Sequence, residues 1–372
     1  MSSINKPLFD IDKMGMQLTV NSYLPGTGFA WQKLFPLKYV PTLDIKGLEG
    51  NEGIPVAADR VAFNTTAPRK TRRKVGSWEG KLGKIAVAKE KNETDIIEYR
   101  NLQTLAAASD DPATANYLVD MVYDDMDFCN KAMDARVEID AMRIGSSGFH
   151  TFTADIDGDM ATADAINFNI PEDNFHGAKV VWTDADKADG IADIIAAQKA
   201  IAKKGLNKPM FAILEQEAFD ALLAQTKTMR RLFPHFDANS LSVASQSVTA
   251  DDLNRYLSSH NLPQLIVIDS YATVEHKDGS HETVKPWNEN VVTLSPTAQL
   301  GYTYYTNVPT LTETAALQVQ GAFYKVSRYS EDDPMKEITK AEAYLQPGLI
   351  NRASLAFINV NATTWNSGDK AL

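Results

Sequence analysis

Apolar residues recur at steps of three and four over the middle of the chain: Leu118, Val122, Met126, Cys129, Met133, Val137, Ala141 and Ile144. That spacing predicts one long amphipathic helix over 112–145. Pro112 suits its first turn, Asp110 and Asp111 favour its N-terminus, and Gly145 is a natural stop. At about 1.5 Å per residue such a helix is roughly 50 Å long, a strut rather than an ordinary helix. Its remaining positions are acidic (Asp120, Asp124, Asp125, Asp127, Asp134, Glu138 and Asp140), opposed only by Lys131, Arg136 and Arg143. Adjacent carboxylates such as Asp124 and Asp125 do not face each other on a helix, and no histidine joins them. A solvated or partner-facing acidic surface is therefore expected there, rather than a metal or acid–base site.

A different pattern covers 183–300, where helical periods alternate with short apolar runs. Thr183 is a candidate N-cap for a helix lined by Ile191, Ile194, Ile195 and Ile201 and ended by Gly205. MFAIL at 210–214 and LIVID at 265–269 read as buried strands, with one helix over 215–228 and another capped by Thr249. A hairpin turning at Asp278–Gly279 and the strand VVTLS at 291–295 complete a compact α/β unit. Beyond 300, alternation from Leu317 to Tyr329 predicts antiparallel strands, with a turn at 331–334.

The first 90 residues lack either period over any length. Residues 1–45 carry aromatics (Phe9, Tyr23, Phe29, Trp31, Phe35, Tyr39) but cannot build a core of their own. They form either a strand and loop packed on their own domain or an arm lying on a neighbouring subunit. Residues 46–90 are punctuated by Gly47, Gly50, Gly53, Gly76, Gly80 and Gly83 and suit a long two-stranded hairpin. Between the glycine groups stand Arg69, Lys70, Arg72, Arg73 and Lys74. A lone hairpin in water is marginal, so a projecting one needs something else to hold it.

Composition narrows the function. The chain has 372 residues, 44% apolar and 23% charged, which excludes disorder over most of its length and suggests two domains or one with a large insertion. The net charge of −11 argues against a general affinity for nucleic-acid phosphate; the basic cluster reads as a solvated loop, a small nucleic-acid patch or, more in keeping with an acidic protein, a patch that meets acidic protein surface, including that of its own copies. One cysteine, Cys129, excludes intrachain disulfides and multi-cysteine metal sites, and on the apolar stripe it should be inert. No run approaches a membrane span, and the first residues lack the apolar core of a signal peptide.

Candidate chemistry is sparse. DIDGD starts like a calcium loop with Asp155, Asp157 and Asp159, but its twelfth position is Ile166, so a turn-rich hairpin is the default. His276 and His281 flank a turn with Glu275 and Glu282, a pattern more usual for polar strand residues than for a metal. No phosphate loop, dinucleotide fingerprint, nucleophile elbow or paired-histidine zinc motif occurs. No catalytic residue, cofactor site or metal site is assigned.

Taken in order, FNTTAPRKTRRKVGSWEGKLGKIAVAKEKNETDIIEYRNL, KPMFAILEQEAFDALLAQTKTMRRLF, NENVVTLSPTAQLGYTYYTNVPTL and YKVSRYSEDDPMKEITKAEAYLQPGLINRASLAFINV resemble the major capsid protein of tailed bacteriophages, of the lambda-type major capsid protein E family. The last stretch is similar to that family's closing strands, with Asp333–Pro334 at the turn and Pro347 before the final strand.

The resemblance implies an α+β capsid fold: an N-terminal arm (1–45), an extended loop hairpin (46–90), a peripheral domain with the long helix (91–182), an axial domain (183–300), and return strands completing the peripheral domain, with a C-terminal tail (301–372). It implies a non-enzymatic subunit that assembles with itself into pentamers and hexamers of an icosahedral shell around double-stranded DNA, without sequence-specific DNA binding. A separate scaffold, a portal and a maturation protease would take part, with a decoration protein left open, no membrane and no scaffold fused to this chain. The protein would be part of the virion, assembled in the host cytoplasm. Within that picture the cluster Arg69, Lys70, Arg72, Arg73 and Lys74 is expected to lie over Asp120, Asp124, Asp127 and Asp134 of an adjacent subunit. An encapsulin-like compartment shell and, less in keeping with the pattern, a soluble α/β enzyme are the other readings.

Overall fold

A computed structural model describes residues 4–8, 13–22, 28–48, 77–108, 112–150, 166–233, 248–276, 278–311 and 314–365. The predicted strut is present as α4, Pro112–Ser147, preceded by α3, Glu93–Ala108. Met126, Cys129, Met133, Val137, Ala141 and Ile144 are all buried.

The helix does not stop at Gly145. It continues to Ser147 and ends at Gly148, whose φ of +67° is open to glycine but costly for other residues. Gly145 is small for another reason. A Cβ there would lie 2.9 Å from Trp287 and 3.1 Å from Leu300, so its absence lets that layer close on the helix.

The strut is covered by a six-stranded sheet. Its long central strand is β16 (Met335–Leu349), antiparallel to β4 (Gly83–Lys91), to β15 (Lys325–Asp332) and to β13 (Gly301–Thr306). The edges are β14 (Leu317–Gln320) on β15 and β1 (Leu37–Tyr39), parallel, on β13. Alternation decides the faces: Val326, Ala341, Ala343 and Leu345 join α4 in the first core, while Lys84, Lys340 and Glu342 turn to the other side.

A five-stranded sheet forms the second layer, in the order β7 (Phe175–Gly177), β17 (Ala356–Asn359), β12 (Val291–Ser295), β8 (Phe211–Glu215), β9 (Gln264–Ile268). Its apolar residues alternate between two cores. Ile213, Ile268, Val291 and Phe357 face the strut, whereas Ala212, Leu214, Val292, Leu294, Ala356 and Ile358 face the helices. Those helices are α5 (Gly190–Lys203), α6 (Gln216–Ala224), α7 (Thr226–Leu232) and α8 (Ala250–Ser259). Burial on both faces explains the uninterrupted apolar runs of these strands.

Three expectations shift here. The α/β unit is not confined to 183–300, because its sheet takes β7 and β17 from outside that span. The first helix starts at Asp189, whose side chain accepts from Ala192 N at 3.0 Å, rather than at Thr183. The helix expected over 215–228 breaks at Gln225, which is extended so that its buried carboxamide oxygen accepts from Gly190 N at 2.7 Å. Thr249 does cap α8, in a reciprocal box with Asp252.

The described parts of 1–45 pack on their own chain. Asn5 bridges Ser330, and Leu8 N donates to Glu337 at 2.7 Å. The helix α1 (Lys13–Ser22), which no sequence period announced, buries Met16 and Val20 against β14 and α4. Trp31 and Leu34 of α2 (Trp31–Leu34) and the following Phe35 lie in the first core.

Candidate assembly surfaces

The expected long hairpin is described only at its base. There β2 (Asp44–Leu48) and β3 (Ser77–Lys81) pair antiparallel, from Asp44 opposite Lys81 to Leu48 opposite Ser77. This ribbon belongs to neither large sheet, and Ile45 anchors it in the first core. Arg69, Lys70, Arg72, Arg73 and Lys74 lie outside the described residues, as do the DIDGD positions 155–159.

The acidic partners proposed for that cluster do not form one surface. Asp124 is exposed, 3.5 Å from Lys89, and Asp127 is half-buried, 2.5 Å from Lys131. Asp120 sits on α4, with its side chain outside the described residues. Asp134 is buried and accepts the indole N–H of Trp31 at 2.6 Å, so it is removed from the candidate contact.

The same correction applies to much of the helix's acidic face. Asp125 is buried against Lys91, Asp140 against Arg136, and Glu138 is fully buried. The Glu138 carboxylate accepts from Trp31 N at 2.8 Å and Ala30 N at 3.1 Å. Burial pushes its carboxyl pKa up, against those hydrogen bonds, and the Asp134 charge adds to the rise. Asp134 and Glu138 thus form a polar clamp that holds the N-terminal segment to the strut. Sequence reasoning missed it. The signal was the i, i+4 pair Asp134 and Glu138 beside the apolar stripe, but its backbone partners lie about a hundred positions away.

On the outward face of the six-stranded sheet, Glu342 is shared by Lys84 and Lys340, each at 2.8 Å, and Lys325 at 3.7 Å. Partial burial opposes ionisation, yet the hydrogen bonds from Lys340 and Lys84 hold its pKa near about 2. At the far end of the fold, Lys285 contacts Glu217 at 2.5 Å and Glu215 at 3.2 Å. These are structural ion networks without a nucleophile beside them.

His276 bonds Glu282 at 3.0 Å across the β10 (Ala272–Glu275) and β11 (His281–Val284) hairpin. Among the described residues no three His, Cys, Asp or Glu side chains are grouped to hold a metal ion, and no helix is long and apolar enough to cross a membrane. Burial, with the nearby Asp125 charge, pushes the Cys129 thiol up to about 12, which makes it a poor nucleophile. The side chains brought together here stabilise segments and surfaces; they do not converge on a reacting atom.

A strut helix under a sheet, a second α/β layer and a separate two-stranded ribbon make up a phage-capsid fold. The chain belongs to the phage major capsid protein E family, whose sequence profile matches residues 19–347. It is a structural subunit of a phage capsid, self-associating into a shell and carried in the virion. The fold is similar to that of a phage-related protein from Bordetella bronchiseptica RB50, at 16% identity and a TM-score of 0.51, over 97% of this chain and 98% of that one. It is likewise similar to a putative prophage capsid protein from E. coli CFT073, at 14% identity and a TM-score of 0.50, over 88% of this chain and 92% of that one. No curated protein matches the sequence. The family match is to a structural protein and does not favour the compartment-shell or soluble-enzyme readings.

Proposed function

We propose that the subunit assembles into pentamers and hexamers that tile an icosahedral shell around double-stranded DNA, in the host cytoplasm, with separate portal and scaffold proteins. The observation that carries this reading is the β2–β3 ribbon. It stands apart from both sheets and leads into the glycine-punctuated, basic stretch of the chain. A ribbon of that kind needs a second surface to stabilise its far end, and a neighbouring copy supplies one in a closed ring. Many such contacts of modest strength allow errors to dissociate before the shell closes.

The proposed contact joins Arg69, Lys70, Arg72, Arg73 and Lys74 to acidic surface of an adjacent copy, with Asp120, Asp124 and Asp127 as the candidates. Charge there sets register and encounter rate more than affinity. The test is Arg72→Glu with Arg73→Glu, followed by circular dichroism, size-exclusion chromatography and negative-stain microscopy. Folded, dispersed subunits without shells are expected. Shells of normal size and yield would overturn the assignment of this contact.

A further inference from the structure

Strand β9 ends the five-stranded sheet. β8 lies along one side, and among the described residues no strand lies along the other. Its sequence, QLIVI, is apolar, and an open edge of that kind is a template onto which another chain can add a strand.

The edge is not bare. Along a parallel pair, alternate residues direct their backbone groups toward the neighbour and away from it. Gln264 N donates to Met210 O at 2.9 Å, toward β8, so Leu265 and Val267 point outward. Asn254, on α8, meets Leu265 from the outside. Its Oδ1 accepts from Leu265 N at 2.6 Å and its Nδ2 donates to Leu265 O at 2.9 Å. One carboxamide thereby makes both bonds that a further strand would make at that residue. The preceding outward position is Pro263, which has no N–H to offer. Val267 is the next outward position, and among the described residues its N–H and C=O meet no further backbone partner.

We propose that Asn254 is a gatekeeper residue: its side chain occupies the β9 edge and denies it to strand addition by second copies of this chain. The need for it rests on the reading of the protein as a shell subunit, since copies held side by side meet each other's edges at high local concentration. The partner excluded is an extended segment of a second copy, since such pairing runs through main-chain hydrogen bonds and needs no side-chain match.

The test uses the full chain as dispersed subunits, so it does not depend on whether shells form. Asn254→Ala is compared with the wild type and with Asn254→Ala/Val267→Pro, in which the outward N–H of Val267 is removed so that an added strand cannot pair beyond Leu265. Thermal melting by circular dichroism reports folding. Light scattering against concentration, with the intermolecular-sheet band in infrared spectra, reports edge pairing. The single variant should stay folded while its self-association rises about 10-fold or more, as the vacated backbone groups pair between copies. The double variant should return to wild-type dispersion. Scattering of the folded single variant equal to the wild type overturns the proposal. So does aggregation that the second substitution leaves unchanged, since it would then come from lost stability and not from an open edge.

Discussion

The clamp between the strut and the N-terminal segment can be tested at Trp31. Its indole is fully buried, packs edge-on against Phe323 at 5.7 Å, and donates to the Asp134 carboxylate at 2.6 Å. Trp31→Phe keeps an aromatic ring but removes the donor. A hydrogen bond to a charged group contributes about 1.5–3 kcal/mol. The smaller ring leaves a void that adds roughly 1 kcal/mol. The expected loss is therefore about 2.5–4 kcal/mol, a large share of the ~5–15 kcal/mol that holds an ordinary domain together. Asp134→Ala removes the other partner, and the double variant closes the cycle. If the bond carries the effect, the double variant loses less than the sum of the singles by about 1.5–3 kcal/mol. Urea unfolding followed by far-ultraviolet circular dichroism measures all three, since fluorescence changes with the tryptophan itself. A coupling below about 0.5 kcal/mol would show that the contact is incidental and that Trp31 acts through its volume alone.

Gly301→Ala should prevent soluble expression or cost more than about 3 kcal/mol, because its Cβ would sit 2.0 Å from the Gly348 backbone oxygen and 2.8 Å from Phe35; solubility and a melting curve decide it. Cys129 should resist a thiol reagent at pH 8 in the native state and react at once in denaturant, since burial holds its pKa at about 12; time-resolved labelling measures the ratio. Glu342 has a folded pKa of about 2, below the ~4.3 of an unfolded glutamate, so its contribution to stability is present above pH ~4.3 and is lost as the pH falls toward 2. In Glu342→Gln, stability measured from pH 5 to pH 2 should fall less steeply than in the wild type.

Much of the scaffold was legible. The strut's stripe at three- and four-residue steps, the apolar strands of the α/β unit, the Thr249 cap and the turn at Asp278–Gly279 all follow from local periodicity and capping chemistry, and each appears where expected. The helix α1 was not legible because it is short, contains Gly15 and has neither acidic residues in its first turn nor basic ones in its last; packing of Met16 and Val20 makes it a helix. Of the candidate contact, the sequence placed Asp124 and Asp127 on the helix's outer face but misassigned Asp134.

That misassignment marks the boundary between the two levels. Taken alone, the chain determined its local elements and, through their order, its family, because helical stripes, alternating strands, turns and caps depend on residues within a few positions of one another. Only the tertiary structure decided which carboxylates turn inward to Trp31 and Lys91, why Gly145 must lack a side chain, and that Phe175–Gly177 and Ala356–Asn359 flank one another in a sheet begun elsewhere. Burying a charge or pairing an edge requires partners distant in sequence, and the free energy of those choices exists only once the chain has brought them together.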